Sequence, residues 1–324
     1  MGKFELLISE LSKYQRVIIQ THDFPDHDAI ASAFALAFLL KYKGLKPFIS
    51  YQGYIDRVST KNLIDWLDIP ITKSHRLGLQ PSDQIIVVDG CVGEKNVTDL
   101  PGQEIAVIDH HQVSAPGFVM YQDIRPEYGA TATILVEYFN HFSLAIPPKI
   151  ATALLVGLTF DTAHFTRAVS PADMDALRQL QQIADLQMVN RICRNQLEFH
   201  ELALFESILH TMKREQNCIY GSLPEDCPKN MLGVLGDFLL SVNEIDIVVL
   251  SARNSERVFV SLRSECDRND VAKIVRETLN SRGIGYGGGH AHMAGGVINQ
   301  SFHASEELEY IYDLFRPSIE LGWS

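Results

Sequence analysis

Aspartates and histidines recur in this chain at spacings that suit metal ligation and phosphoryl chemistry. His22, Asp26 and Asp28 fall within Thr21-His22-Asp23-Phe24-Pro25-Asp26-His27-Asp28. Asp89 ends the run Ile85-Ile86-Val87-Val88, and Asp109-His110-His111 follows Ala106-Val107-Ile108. Carboxylate oxygens mixed with imidazole suit Mn²⁺, and less selectively Mg²⁺, Fe²⁺, Co²⁺ or Zn²⁺. Two such cations about 3.5–4 Å apart stabilise both the attacking and the leaving oxygen of phosphoryl transfer, and they lower the pKa of a bridging water. A carboxylate between them must bridge. Asp26 and Asp28 are two apart, so in an extended loop they face opposite ways and suit one ligand for each ion. Asp28 also stands where it can cap the helix that follows. Each piece alone has an ordinary reading: Asp89 as a turn or cap, His110 and His111 as satisfied surface histidines, Asp26 and Asp28 as a polar turn. Those readings leave the repeated placement after β-rich runs unexplained.

Bringing these groups together requires a sheet whose strand ends share one edge. Residues 16–20, 46–51, 84–88 and 104–108 read as strands, and 4–14, 28–42 and 63–67 as helices, the second ended by Gly44. The alternation predicts βαβ units and an α/β fold with a mostly parallel N-terminal sheet flanked by helices. In such sheets ligands bind beyond the carboxyl ends of the strands. Residues 128–210 read as mainly helical, with 171–210 holding one long connecting helix after a shorter one. A smaller α/β domain follows, with strands at 218–222, 245–251 and 258–262 and helices at 270–279 and 305–315. The expected organisation is a catalytic domain over 1–190, a helical linker over 191–215 and a second domain over 216–324, with the active-site cleft between the two domains.

A length of 324 residues suits two domains, and 46% apolar residues suits ordinary cores. The net charge of −12 argues against a broad nucleic-acid coat, although bound cations can reverse the sign inside a carboxylate-lined site. The five cysteines are irregularly spaced without a C-x-x-C and read as reduced thiols. The longest apolar run, near 29–40, is too short to cross a bilayer, and no leader pattern opens the chain, so the expected location is the cytoplasm.

A glycine run, Tyr286-Gly287-Gly288-Gly289-His290, offers backbone N–H groups to an anion in the absence of Cβ bulk; the alternative is a flexible turn. It matches neither a dinucleotide fingerprint nor a P-loop.

These segments together resemble the DHH phosphoesterase family over nearly the whole chain. THDFPDHDAIAS (21–32) is similar to the motif H-x-x-x-D-x-D-x-x-x-S, VVDG (87–90) to the second motif, IDHHQ (108–112) to the triplet that names the family, and GLTFDTAHF (157–165) to the fourth. GGGHAHMAGG (287–296) resembles the glycine-rich motif of the associated C-terminal domain. The resemblance implies that His22 and Asp26 hold one metal, that Asp28, His110 and Asp161 hold the other, and that Asp89 bridges them. It makes Asp109 and His111 the catalytic pair, Asp109 orienting the adjacent histidine so as to fix a ligand's tautomer, or supporting the site from behind the ligands, and His111 contacting phosphate or assisting proton transfer. Asp161 enters only through this resemblance, since an aspartate ending an apolar helix is otherwise a cap. It further implies that Gly287, Gly288, Gly289 and His290, with Arg263 and Ser264, bind substrate; Arg263 read alone is equally a solvated arginine beside Glu265. His27 and Ala163-His164 depart from the family pattern.

By length and motif order the chain is similar to the oligoribonuclease (nanoRNase) and 3′-phosphoadenosine 5′-phosphate (pAp) phosphatase type. That implies two divalent cations, Mn²⁺ first and Mg²⁺ or Co²⁺ next, hydrolysing short oligoribonucleotides, dinucleotides and pAp by attack of metal-activated hydroxide. The implied partners are a small nucleotide or short single-stranded RNA, no duplex nucleic acid and no membrane, with a homodimer left open. The competing readings are a soluble phosphodiesterase for cyclic di-AMP or pApA, a manganese pyrophosphatase, and a nucleotide-binding regulator without turnover. The chain is too short for the extra oligonucleotide-binding domain of RecJ-type exonucleases and lacks the membrane helices of the large cyclic-di-AMP phosphodiesterases.

Overall fold

The three runs that end in metal-type side chains lie side by side in one sheet. A computed structural model describes residues 2–225, 227–254, 257–299 and 306–320, in two compact units, 1–196 and 197–324. Unit 1 runs α1 (Gly2–Leu11), β1 (Val17–Thr21), α2 (His27–Tyr42), β2 (Pro47–Tyr51), α3 (Val58–Leu67), β3 (Ile71–Lys73), β4 (Gln84–Val88), β5 (Gln103–Asp109), β6 (Tyr121–Ile124), α4 (Thr131–His141), α5 (Pro148–Asp161), α6 (Pro171–Leu180) and α7 (Leu186–Arg194). Its six strands are ordered β3-β2-β1-β4-β5-β6, and every pair is parallel.

The strands are specified by burial on both faces, as parallel sheets require. β1 and β4 are buried along their full length. Successive residues alternate between two cores. Val17, Ile19, Ile86, Val88, Ala106 and Ile108 join the large core with α1, α2, α4 and α5. Ile18, Ile85, Val87 and Val107 join a smaller core with Leu100 and Val119. The strand order reverses between β1 and β4, and such a switch point opens a crevice at the carboxyl edge.

Unit 2 runs α8 (Leu202–Thr211), β7 (Lys213–Glu215), β8 (Cys218–Leu223), α9 (Lys229–Leu240), β9 (Ile247–Asn254), β10 (Arg257–Ser264), α10 (Val271–Val275), β11 (Gly285–His290), β12 (Met293–Ile298) and α11 (Glu307–Phe315). Its sheet is mixed, ordered β11-β12-β10-β9-β8-β7, with only β8 and β9 parallel. Helices α10 and α11 cover one face and α8 and α9 the other. The cysteines at 91, 193, 218, 227 and 266 are buried free thiols.

Two expectations need correction. The stretch 171–210 is not a long helix after a short one but the three separate helices α6, α7 and α8. Asp185 starts α7 by accepting from the Met188 N–H at 3.0 Å, which makes a new N-terminus inside the run. The glycine run is no free loop but the edge strand β11, paired antiparallel to β12. Two of its glycines, Gly287 and Gly289, are needed for that pairing: a Cβ on Gly287 would lie 2.5 Å from the Gly295 carbonyl oxygen and 2.5 Å from Val275 Cγ1, and one on Gly289 2.3 Å from the Met293 carbonyl oxygen. The helix expected from residue 305 is observed from Glu307, residue 305 itself lying outside the described residues.

One buried carboxylate ties together the helices behind the sheet edge. Asp173 accepts from the N–H groups of Gly129 (2.9 Å) and Ser170 (2.7 Å), from Ser170 Oγ (2.6 Å) and from Thr133 Oγ1 (2.5 Å). It thereby fixes the start of α6 to the start of α4. Asp173→Ala strands these donors in the interior and is expected to lower unfolding stability by about 3 kcal/mol. Urea titration checks this, and a loss of under about 1 kcal/mol would show that the clamp contributes no more than an ordinary surface hydrogen bond.

Candidate metal centre

The first ligand segment is shaped by a helix start. Asp26 is the N-cap of α2, its Oδ1 accepting from the N–H groups of Asp28 (3.0 Å) and Ala29 (3.2 Å). The cap expected at Asp28 is therefore at Asp26, and Asp28 sits in the first turn of α2 rather than in an extended loop. Asp28 caps a different helix instead. Its carboxylate accepts from the N–H groups of Thr131 (2.7 Å) and Ala132 (3.0 Å), the first turn of α4, whose own N-cap, Ala130, has no capping side chain.

Asp89 stands at the centre. It follows β4 in a left-handed backbone conformation (φ 57°), a strained state for a non-glycine residue that recurs at functional sites. Its Oδ2 lies 3.7 Å from His22 Nε2 and its Oδ1 lies 3.6 Å from His110 Nε2 and 3.9 Å from His111 Nδ1. Thr131 Oγ1 donates to Oδ1 at 2.9 Å. His22 Nε2 is also 3.9 Å from Asp26 Oδ1, and His110 Nε2 is 3.2 Å from Asp161 Oδ2. Ligand atoms gather in three overlapping groups: His22, Asp26 and Asp89; Asp28, Asp89, His110 and Asp161; and Asp89, His110 and His111. Asp89 belongs to all three.

The donor set fits divalent cations. Two oxygens or nitrogens bound at right angles to an ion, each at about 2.1 Å, sit about 3 Å apart, close to the spacings here. The histidine tautomers also suit ligation. His22 Nδ1 donates to the Asp23 carbonyl at 2.8 Å and His110 Nδ1 to the Tyr128 carbonyl at 3.1 Å, so in each ring Nε2 is the nitrogen turned toward the carboxylates, where a cation can replace its proton. His110 Nε2 is buried and makes no hydrogen bond despite the proximity of Asp161. An imidazole nitrogen buried among carboxylates without a hydrogen bond fits a position that ligates a cation.

Charge crowding points the same way. Burial, then Asp89 and Asp161, push Asp28 well above the ordinary carboxylate range. Burial and Asp26 raise Asp89. Burial and Asp26 raise Asp161 to about 6, with His110 opposing. Burial works against His22, but Asp26 and Asp89 outweigh it and hold the imidazolium up to about 10. Without cations the cluster retains protons; a divalent ion would supply the positive charge they provide.

Asp109 is fully buried and faces His111. Its Oδ1 accepts from the His111 backbone N–H at 3.1 Å and pairs with His111 Nδ1 at 2.8 Å, while Oδ2 is buried without a hydrogen bond. His111 is the more exposed of the pair. Asp109 thus orients the His111 ring and not that of the adjacent His110, whose Nδ1 is held by the Tyr128 carbonyl.

The departures from the family pattern separate. His27 points into the core, stacked on Phe160 at 3.5 Å with rings nearly parallel, its Nε2 2.9 Å from Ser59 Oγ. Burial lowers it to about 3, so it is a neutral packing group. His164 is exposed, in a run of three left-handed residues, Ala163, His164 and Phe165.

The predicted substrate residues all lie in unit 2. Arg263 is buried, its Nε donating to Asp237 Oδ1 at 2.8 Å and its Nη1 to Ser261 Oγ at 3.0 Å. Ser264 is buried and its Oγ accepts from the Cys266 N–H at 3.0 Å. Gly287 and Gly289 are required by packing, whereas a Cβ on Gly288 would meet open space. His290 is exposed at the end of β11.

Comparison with known proteins agrees with this architecture. Residues 16–158 match the DHH family, N-terminal domain, and residues 215–318 match the DHHA1 domain. The chain belongs to the DHH family. An uncharacterized protein of Methanocaldococcus jannaschii is 29% identical over 96% of this chain and 64% of its own length. The cyclic-di-AMP phosphodiesterase GdpP of Bacillus subtilis is 27% identical over 92% of this chain and 47% of its own. This DHH chain thus spans less than two thirds of the length of either relative. The crystal structure of an exopolyphosphatase-related protein from Bacteroides fragilis superposes with a TM-score of 0.79 at 19% identity, covering 98% of this chain and 96% of that one, and so shares its fold. Among the described residues, no helix is long and apolar enough to cross a membrane.

Sequence reasoning missed Thr131, the Tyr128 carbonyl and Gly157. The last sets the distance between α2 and α5. A Cβ there would lie 2.9 Å from Asp28 Cα and 2.9 Å from Asp28 Oδ1, so glycine lets α5 carry Asp161 past Asp28. Gly157→Ala is expected to push the helices apart at a cost of about 1–3 kcal/mol and to weaken Mn²⁺ binding about tenfold. Calorimetric titration with Mn²⁺ measures it, and wild-type affinity would show that the helix spacing does not set the ligand geometry.

Proposed function

We propose that this chain is a metal-dependent phosphoesterase acting on short oligoribonucleotides and dinucleotides, with pAp as a further substrate. The observation that carries the reading is Asp89, whose two oxygens face different histidine–carboxylate groups. In this reading His22 and Asp26 hold one divalent cation, Asp28, His110 and Asp161 hold a second, and Asp89 bridges; Mn²⁺ suits the donors best, with Mg²⁺ or Co²⁺ as substitutes. Such a pair supplies charge stabilisation for phosphoryl oxygens and makes water more acidic. Asp109 fixes the His111 ring through Nδ1, leaving Nε2 to exchange a proton with the reacting oxygens. The Asp23 and Tyr128 carbonyls keep His22 and His110 in the ligating tautomer.

In the second unit, the strand β11 and His290 are proposed to contact the substrate's terminal phosphate. Arg263 and Ser264 belong to the same proposal, with Arg263 held on Asp237 in the absence of substrate. A second reading, hydrolysis of a cyclic dinucleotide, is favoured by the similarity to GdpP, whose name specifies cyclic di-AMP.

The deciding measurement is steady-state turnover with Mn²⁺ on pApA, longer single strands, pAp, cyclic di-AMP and inorganic pyrophosphate. The expected order puts pApA first. Pyrophosphate turned over as fast as pApA would overturn the substrate class, and nucleotide binding without hydrolysis of any of them would leave a regulator. Asp89→Ala is expected to abolish turnover and to lose Mn²⁺; two ions retained per chain would remove its bridging role. His290→Ala and Arg263→Ala are expected to raise KM while metal content stays at the wild-type level, and loss of metal from either would contradict the division of labour between the units.

A further inference from the structure

The segment between the first two ligands carries an aromatic side chain that neither the core nor the metal centre uses. Phe24 adopts a left-handed backbone (φ 57°), which a bulky residue rarely does. Its N–H donates to the Gln52 carbonyl at 3.0 Å. Gly53 lies against the ring so closely that a Cβ there would come within 2.6 Å of two ring carbons. Tyr54 meets the ring edge-on, centroids 4.7 Å apart and planes at 75°. The ring is thus held in place, yet 51% of Phe24 and 40% of Tyr54 remain exposed. Phe24 is two residues from His22 and two from Asp26, so at most about 7 Å of chain separates its Cα from either ligand's.

Tyr54 has a second neighbourhood. It lines a pocket of about 350 Å³ with Tyr51, Lys61, Asp65 and Lys73. Tyr51 and Lys73 are paired at the carboxyl ends of β2 and β3, the same sheet edge that carries the ligands. Neither lysine makes an ion pair among the described residues. Metal ligands, an exposed aromatic pair and two cations therefore follow one another along one edge of unit 1. A nucleotide strand can meet all three, with one phosphate at the ligands, the base that branches from its ribose on the aromatic pair, and the next backbone phosphate at the lysines.

We propose that Phe24 and Tyr54 form a nucleobase platform that stacks a base of the nucleotide whose phosphate lies at the metal centre, with Lys61 and Lys73 facing the next phosphate along the strand. The proposal rests on the phosphoesterase reading of that centre and adds what selects nucleotides there. Stacking accepts any base, because every base has a π face. A base-free phosphate gains nothing from the platform, which separates nucleotides from pyrophosphate by binding rather than by metal chemistry.

The test is calorimetric binding of adenosine 5′-monophosphate and of ribose 5-phosphate to the full chain with Mn²⁺. Wild type is expected to prefer the nucleotide at least about tenfold, the range of one base–aromatic stack. Phe24→Ala should bring the two affinities together, Tyr54→Ala should narrow the gap, and Phe24→Trp should restore it. The double variant Lys61→Ala/Lys73→Ala should weaken tri-adenylate more than the mononucleotide. A wild-type preference near one, or a gap that survives both Phe24→Ala and Tyr54→Ala, overturns the platform. Equal weakening of both adenylates overturns the role of the lysines. Tyr54 lies outside the ligand segment, so its variant decides the matter if Phe24→Ala sheds metal. Failure of turnover across the substrate panel counts against the phosphoesterase reading and leaves this binding comparison intact.

Discussion

Carboxylates packed together out of water repel one another, and everything at the carboxyl edge of the first sheet answers that repulsion. Asp26, Asp28, Asp89 and Asp161 converge with Asp109 close by. In a low-dielectric corner such charges cannot all ionise unaided. Three sources of positive charge face them: the His22 and His110 rings, the first turn of α4, and whatever cations the cluster takes up. The imidazoles serve either as countercharges when protonated or as ligands when a metal replaces the proton. The backbone carbonyls of Asp23 and Tyr128 hold the rings so that the second role needs no rearrangement.

Topology makes the convergence possible. The order β3-β2-β1-β4-β5-β6 places the three ligand-bearing strand ends next to one another, with the reversal between β1 and β4. His22 follows one side of that crevice and Asp89 the other, and Asp109-His110-His111 is one strand further on. Parallel strands buried on both faces cannot slip register without exposing Val and Ile to the wrong layer. The rigidity of the ligand positions is thus inherited from the core beneath them. Glycine at 157 and the Asp173 clamp then fix the helices that bring Asp161 and Thr131 over the edge.

What the sequence revealed follows from which forces leave a local trace. β1, β4 and β5 are β-branched and apolar because both faces are buried, so they were legible, and so were the polar residues that end them. β3 (Ile-Thr-Lys) and β6 (Tyr-Gln-Asp-Ile) are short edge strands with half-exposed residues, and nothing in their composition distinguishes them from loops. The break between α6 and α7 hangs on a single aspartate cap. The glycine run looked like a loop because its paired strand, itself glycine-rich, is needed to explain it. Asp161 was visible only through family resemblance. Thr131, Tyr128 and Gly157 act through a backbone group, a short side chain or the lack of one, and their partners lie between 18 and 129 residues away in the chain. His27, an irregularity in the motif, proved to be a core residue because helix geometry turns it away from its flanking aspartates.

Asp28 and Asp161, proposed as ligands of one cation, are prepared very differently. A carboxylate offers about four lone-pair sites. Asp28 commits two of them to α4 N–H groups and a third, at 3.4 Å, to Ser32 Oγ, so its direction is set before any ion arrives. Asp161 accepts no hydrogen bond among the described residues; its neighbours are the His110 ring, at 3.2 Å, and the carboxylates of Asp28 and Asp89. Burial and the facing Asp89 and Asp161 nonetheless push Asp28 well above the ordinary range. Partial charges at a helix start, about half an elementary charge in sum, can orient Asp28 but cannot discharge it. The geometry of the centre is therefore built by the protein alone, while its charge balance requires protons or cations from solution.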